Sequence, residues 1–103
     1  MADELPDDFI GEIRTAMEET APDSFLLGEV WEDATTKIAY SMRRRYLLGQ
    51  ELHGVMNYPF RTALIAYLLG GDADEFRETL ESLRENYPPH AFYSLMNFLS
   101  THD

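Results

Sequence analysis

Apolar residues return at every fourth position near the start of the chain: Leu5, Phe9, Ile13 and Met17, with Ile10 widening the stripe, while Asp7, Asp8, Glu12, Glu18 and Glu19 face away. That period predicts an amphipathic helix over residues 5–20. Pro6 suits its first turn, and the acidic residues around it complement the positive end of the helix dipole. Ala21-Pro22-Asp23 ends the helix, because proline disfavours helical geometry in the residue before it. Phe25-Leu26-Leu27-Gly28-Glu29-Val30-Trp31 follows, a nearly continuous apolar run bounded by turn residues, the pattern of a strand buried on both faces of a parallel sheet. A period of two puts Phe25, Leu27, Glu29 and Trp31 on one face and Leu26, Gly28 and Val30 on the other. Glu29 is thus a lone carboxylate at the C-terminal end of a greasy strand.

Asp33 is placed to cap a helix over residues 35–48, with Ile38, Met42 and Tyr46 on its apolar side and Gly49 at its end. Residues 52–57 read as a second strand, weakened by Gly54. Pro59 opens a helix carrying Phe60, Ala63, Leu64, Tyr67 and Leu68, and Gly70-Gly71 closes it. Asp72 followed by Glu75 resembles a capping box and opens a last helix through Phe76, Leu80 and Leu83, stopped at Pro88-Pro89. Residues 92–99 form a third apolar run. Strands alternating with helices of this length indicate βαβ units and a parallel sheet. Right-handed crossovers put every connecting helix on one side of such a sheet, which leaves the face of Phe25, Leu27 and Trp31 bare. A free-standing domain rarely leaves such a face wet. The pattern predicts a piece of something larger, with homo-oligomerisation through the uncovered sheet face.

Composition narrows the functional classes. The 103 residues are 45% hydrophobic and suit one globular unit without a second domain. Eight Lys+Arg against nineteen Asp+Glu give a net charge of −11, which argues against nucleic acid and anionic membrane as partners. Without cysteine there is neither a disulfide framework nor a thiolate metal site. No apolar run approaches the roughly 20 residues needed to span a bilayer, and the acidic opening is the reverse of a signal peptide's. Localisation stays open, with the cytoplasm favoured, and no cofactor or metal is expected.

Three polar clusters fall at predicted strand ends, where α/β proteins gather reactive groups: Glu29 with Trp31, Glu32 and Asp33; Asn57 with Tyr58; and Asn97 through His102 and Asp103. Glu29 and Asp103 suit acid/base work on a sugar acetal; the plain alternative is a solvated strand-end carboxylate and a frayed tail. Arg43-Arg44-Arg45 reads as a solvated helix face pairing with nearby acids. Met42, Met56 and Met96 read as packing residues. His53 and His90 lack metal-ligand spacing, and Gly70-Gly71 ends a helix where a phosphate loop would begin one.

Gly28-Glu29-Val30-Trp31, Met56-Asn57-Tyr58-Pro59-Phe60 and the stretch from Leu95 through Asn97 and Ser100 to His102-Asp103 resemble successive signature segments of the α-amylase family of glycoside hydrolases, closest to the neopullulanase, cyclomaltodextrinase and maltogenic amylase group. Met1-Ala2-Asp3-Glu4-Leu5-Pro6 resembles the stretch just after that family's nucleophile segment. The resemblance implies an α/β fold, a partial (β/α)8 TIM barrel of about three parallel strands, roughly the fifth to the seventh, with residues 1–103 a fragment of the catalytic barrel. It implies Glu29 as general acid/base, Asp103 as transition-state stabiliser, His102 as a substrate-binding residue and Trp31 at the border of the sugar cleft. The implied substrate is an α-glucan or maltooligosaccharide, cleaved with retention through a covalent intermediate. In the same register the nucleophilic aspartate would lie immediately before Met1. The fragment alone is therefore expected to be inactive, since the parts of a covalent machine act together. A non-catalytic α/β association module is the competing expectation. A Mg²⁺-binding signalling domain is disfavoured, because Asp7-Asp8 sits inside the first helix and no lysine ends the last strand.

Overall fold

The computed structural model describes residues 1–39 and 42–101. After a 3-10 turn at Ala2–Glu4, Pro6 caps helix α1 (Asp7–Thr20) from an extended conformation, with Asp7 and Asp8 in the first turn. The apolar stripe is rotated from the four-residue series: Ile10 is the buried residue of α1, Ile13 and Met17 are half-buried, and Leu5 and Phe9 stay exposed.

Strand β1 (Leu27–Gly28) follows, then the short antiparallel strands β2 (Ile38–Ala39) and β3 (Met42–Arg43), and strand β4 (Gly54–Val55). The helix expected over residues 35–48 is not formed: β2 and β3 pair with Ile38 opposite Arg43. Asp33 makes a local turn instead of a helix cap, its Oδ1 accepting the Thr35 N–H at 2.9 Å. Arg44, expected on a solvated helix face, is buried instead, its Nε donating to Asp7 Oδ1 at 3.1 Å while the Tyr46 hydroxyl donates to Asp3 Oδ1, and such tertiary contacts override a weak helical pattern.

β1 and β4 pair in parallel, Leu27 opposite Gly54 and Gly28 opposite Val55. Hydrogen bonds from His53 N–H to the Leu26 carbonyl (2.9 Å) and from Met56 N–H to the Gly28 carbonyl (3.0 Å) continue the ladder. The third expected strand is reduced to one parallel bridge, Met56 to Met96. Its hydrogen bonds are Met96 N–H to Val55 O (3.0 Å) and Asn57 N–H to Met96 O (2.8 Å). Between β4 and this bridge come α2 (Tyr58–Leu68), α3 (Ala73–Asn86) and the short α4 (Pro89–Phe92). Helix α4 occupies the start of the run read as a strand. Gly70, at φ 102°, supplies the left-handed turn that folds α3 back on α2. Phe76 then stacks on Tyr67 at 5.3 Å and meets Phe60 at 6.2 Å.

The two sheet faces differ as the period of two predicts. Val30 and Val55 are fully buried in a core that includes Ile10, Leu52, Leu83, Tyr87 and Ala91. Phe25, Leu27 and Trp31 are 52%, 37% and 53% exposed. The register puts Met56 and Met96 on this open face too, in the row of Glu29.

Candidate active site

The residues just past the ends of the parallel strands meet at one edge. Glu29 follows β1, and its carbonyl accepts the Ala2 N–H at 3.0 Å, tying the N-terminal segment alongside. The carboxylate is partly buried, with Oε1 3.9 Å from the Met1 nitrogen and Oε2 3.5 Å from the Tyr58 hydroxyl. Trp31, two residues on, projects from the same face, its ring 6.3 Å from that of Tyr58. Tyr58 also meets the edge of Phe98 at 4.8 Å. One carboxylate therefore stands beside Tyr58, whose ring meets those of Trp31 and Phe98, so a polar group and aromatic faces share this edge.

Asn57 builds this edge from beneath. It is 4% exposed, and each polar atom of its side chain has a partner. Oδ1 accepts the Phe60 N–H (3.2 Å) as the cap of α2, and Nδ2 donates to Asn97 Oδ1 (2.9 Å). Arg61 Nε, one turn into α2, donates to the Leu99 carbonyl at 2.8 Å. The segment after Met96 is thus fastened to the start of α2, which seats Phe98 against Tyr58. On the other flank Lys37 bonds Glu32 Oε2 (2.8 Å) and reaches Asp3 Oδ2 (3.1 Å), joining the loop after β1 to the N-terminal turn. These two carboxylates raise the Lys37 pKa above its ordinary value, against the opposing effect of burial.

Glu29 and Trp31, both expected from the sequence, stand together at this edge; His102 and Asp103 lie outside the described residues. Tyr58 and Phe98, which fall in the other two strand-end clusters but were given no role of their own, join Glu29 and Trp31. Their signal was positional: each comes two residues past a sheet-paired methionine, on the face that Glu29 shares. A cleft of about 230 Å³ adjoins Glu29 between α1 and β1, while a larger cleft, about 810 Å³, lies elsewhere, between α1 and residues 45–51.

A parallel α/β unit with its reactive groups gathered at the C-terminal strand edge has the layout of an α/β enzyme piece, and comparison with known proteins specifies which kind. No protein-family profile matches the chain. It is 34% identical to the amylopullulanase of Thermoanaerobacterium saccharolyticum, over 97% of this chain and 8% of that protein. It is 32% identical to neopullulanase 2 of Thermoactinomyces vulgaris, over 100% of this chain and 16% of that protein. Among solved structures, a cyclomaltodextrinase superposes with a TM-score of 0.84 at 31% identity, again over 100% of this chain and 16% of the other. Over these residues the chain is related to the neopullulanase, cyclomaltodextrinase and amylopullulanase group of glycoside hydrolases. It spans less than a fifth of the length of these relatives.

Proposed function

We propose that the chain is a segment of an α-amylase-type retaining glycoside hydrolase barrel, roughly its fifth to seventh strands, acting on α-glucosidic bonds of maltodextrin-like substrates. Glu29 is the general acid/base, Asp103 the transition-state stabiliser, and His102 and Trp31 bind sugar. The observation that carries this reading is the placement of Glu29 among Trp31, Tyr58 and Met1 at the strand edge. The resemblance puts the nucleophile immediately before Met1, and the Met1 nitrogen is 3.9 Å from Glu29 Oε1. A carboxylate at that position would adjoin the acid, as double displacement requires.

In that reaction Glu29 gives its proton to the glycosidic oxygen as the attacking carboxylate bonds to the anomeric carbon. The leaving sugar departs with the proton; Glu29 then takes a proton from the water that cleaves the ester. The open sheet face that carries Phe25, Leu27 and Met96 beside Glu29 would be the interior of the closed barrel. The 103 residues hold the acid and the stabiliser but no counterpart of the nucleophile, so by themselves they turn over no substrate.

The test is a titration followed by an assay. Trp31 is the single tryptophan, so its fluorescence reports directly on this edge. Maltoheptaose should produce a saturable change by about 10 mM, the range of weak affinity. No dye should be released from a chromogenic maltooligosaccharide above the Glu29→Gln background. A flat titration overturns the binding role, and clear turnover overturns the division of labour among the carboxylates.

The exposed face also favours a second reading, an association module that forms homo-oligomers. With about 150–250 Å² on each aromatic side chain, half-exposed Phe25 and Trp31 together with Leu27 and Met96 leave roughly 400 Å² of apolar surface wet. At about 25 cal/mol/Å² that is about 10 kcal/mol per chain, comparable to the cost of association. Sedimentation of the purified chain decides: a stable dimer supports self-association, and a monomer at micromolar concentration removes it.

A further inference from the structure

A buried arginine grips the N-terminal segment where the chain after β3 crosses it. Arg44 is 4% exposed, and its guanidinium serves three acceptors on alternate residues. Nη1 donates to the Asp3 carbonyl at 3.1 Å, Nη2 to the Leu5 carbonyl, and Nε to Asp7 Oδ1 at 3.1 Å. The guanidinium lies 4.6 Å from the centre of the Tyr46 ring, and the Tyr46 hydroxyl donates to Asp3 Oδ1. Lys37, 3.1 Å from Asp3 Oδ2, belongs to the same grip, because the Arg44 N–H donates to the Lys37 carbonyl at 2.8 Å. Tyr46 and Leu47 are buried in the core and root the arm that carries Arg44.

The segment held in this way does little to hold itself. None of Ala2–Glu4 is fully buried, and Leu5 is exposed. A desolvated ion pair adds little net stability over an apolar contact of the same size. What a rigid fork of directed donors supplies is position. That position adjoins the acid: the Ala2 N–H donates to the Glu29 carbonyl at 3.0 Å, and Lys37 also bonds Glu32, the neighbour of Trp31.

We propose that Arg44 and Tyr46 are positioning residues for glycosidic-bond cleavage: from about forty positions along the chain they fix residues 3–7, and through them the place of the chain at Met1 beside Glu29. This role rests on the reading above, in which the attacking carboxylate lies immediately before Met1. Retaining cleavage needs the two carboxyl groups about 5–5.5 Å apart, and a misplacement of about 1 Å can cost about a hundredfold in rate. The clamp sets that spacing from the side away from the substrate. Lysine at position 44 would keep a positive charge for Asp7, but one ammonium cannot serve acceptors on residues 3, 5 and 7 in the geometry of the fork.

The Glu29 carbonyl carbon, which accepts the Ala2 bond, reports the placement by ¹³C NMR of the labelled 103-residue chain, since loss of that bond moves its resonance upfield. Arg44→Lys should give the full shift. Tyr46→Phe, which frees one Asp3 oxygen, should give a smaller shift of the same sign. The carbonyl carbons of Gly28 and Val55, which accept from Met56 and Met96, should stay in place in both. Tyr87→Phe is the control: it also removes a buried hydroxyl, the partner of the Ala34 N–H, and should leave Glu29 unmoved. A Glu29 carbonyl unmoved in both variants overturns the positioning role, as does an equal shift at Gly28 and Val55 or in Tyr87→Phe. If Arg44→Lys does not fold, Tyr46→Phe decides. Trp31 fluorescence of the parent chain with maltoheptaose is read in parallel. A saturable change supports the glycosidase reading, and a flat titration overturns that reading whatever the carbonyl does.

Discussion

Gly54 sits in β4 between β1 and the segment that carries Met96, and its replacement by alanine tests whether these three pieces of chain are packed as closely as described. A Cβ built on Gly54 would fall well under 3.0 Å from the Ser94 carbonyl oxygen and 3.1 Å from both Ser94 C and Phe25 Cζ. The obstacle is main chain, so it can retreat only by moving the 94–96 segment. The hydrogen bonds at Met96 N–H and Asn57 N–H, 3.0 and 2.8 Å, would stretch with it. Overpacking costs about 1–3 kcal/mol, and two weakened hydrogen bonds add about 1–2 kcal/mol. The smaller entropy of the unfolded alanine chain returns about 0.4–1 kcal/mol. The expected net loss is about 2–3 kcal/mol. Gly28→Ala is the control: the same methyl on the neighbouring strand meets the Leu52 side chain, which can rotate aside, so its loss should stay near 1 kcal/mol. Urea unfolding followed by circular dichroism measures both. Equal losses in the two variants, or a Gly54→Ala chain as stable as the parent, would refute the packing reasoning.

Three further perturbations probe the buried polar groups. Tyr87→Phe removes the hydroxyl that accepts the buried Ala34 N–H at 2.9 Å, and the stranded amide should lower unfolding free energy by about 1–3 kcal/mol in urea titrations. Arg44→Met removes the buried guanidinium that pairs with Asp7 at 3.1 Å; the loss should be about 3–5 kcal/mol near neutrality and smaller in acid, where Asp7 protonates. His53 is held below its ordinary pKa by burial and by the positive charge of Arg14, with Glu18 opposing. A histidine with a depressed folded pKa contributes stability that is present above about 6.5 and lost as pH falls through the folded value. Its imidazole NMR signals should titrate below 6.5, and a midpoint at or above that value contradicts the Leu26 N–H to Nδ1 bond.

The chain announced its regular elements where local chemistry and burial agree. Pro6 with Asp7 and Asp8, Pro59, Gly70-Gly71 and Asp72 each mark a helix boundary by their own backbone or side-chain preference, and the helices lie where these residues put them. The alternation from Phe25 to Trp31 was legible because one face is packed and the other bare. Residues 35–48 were not. Ile38, Met42 and Tyr46 fall at a helical spacing by coincidence, while Arg44 and Tyr46 bind Asp3, Leu5 and Asp7 about forty positions away. No local pattern encodes such a contact, so Arg44 passed for a surface charge. The third strand shrank too: α4, started by Pro88 and Pro89, ends on Phe92, the first residue of the apolar run, and Met96 is the residue of that run that bridges β4. At the candidate site, Glu29 and Trp31 were visible as exceptions to a greasy strand, whereas the contribution of Tyr58 depends on the register that aligns β1, β4 and Met96.

Whether the edge formed by Glu29, Trp31, Tyr58 and Asn57 is a glucan site is the question on which the functional account turns. Two-dimensional NMR of the ¹⁵N-labelled chain with maltoheptaose answers it residue by residue. The account predicts saturable shifts at the Trp31 indole and at the amides of Glu29, Asn57 and Tyr58, with α1 and residues 45–51 unmoved. Shifts confined to the larger cleft beside α1, or none at the strand edge, would contradict it.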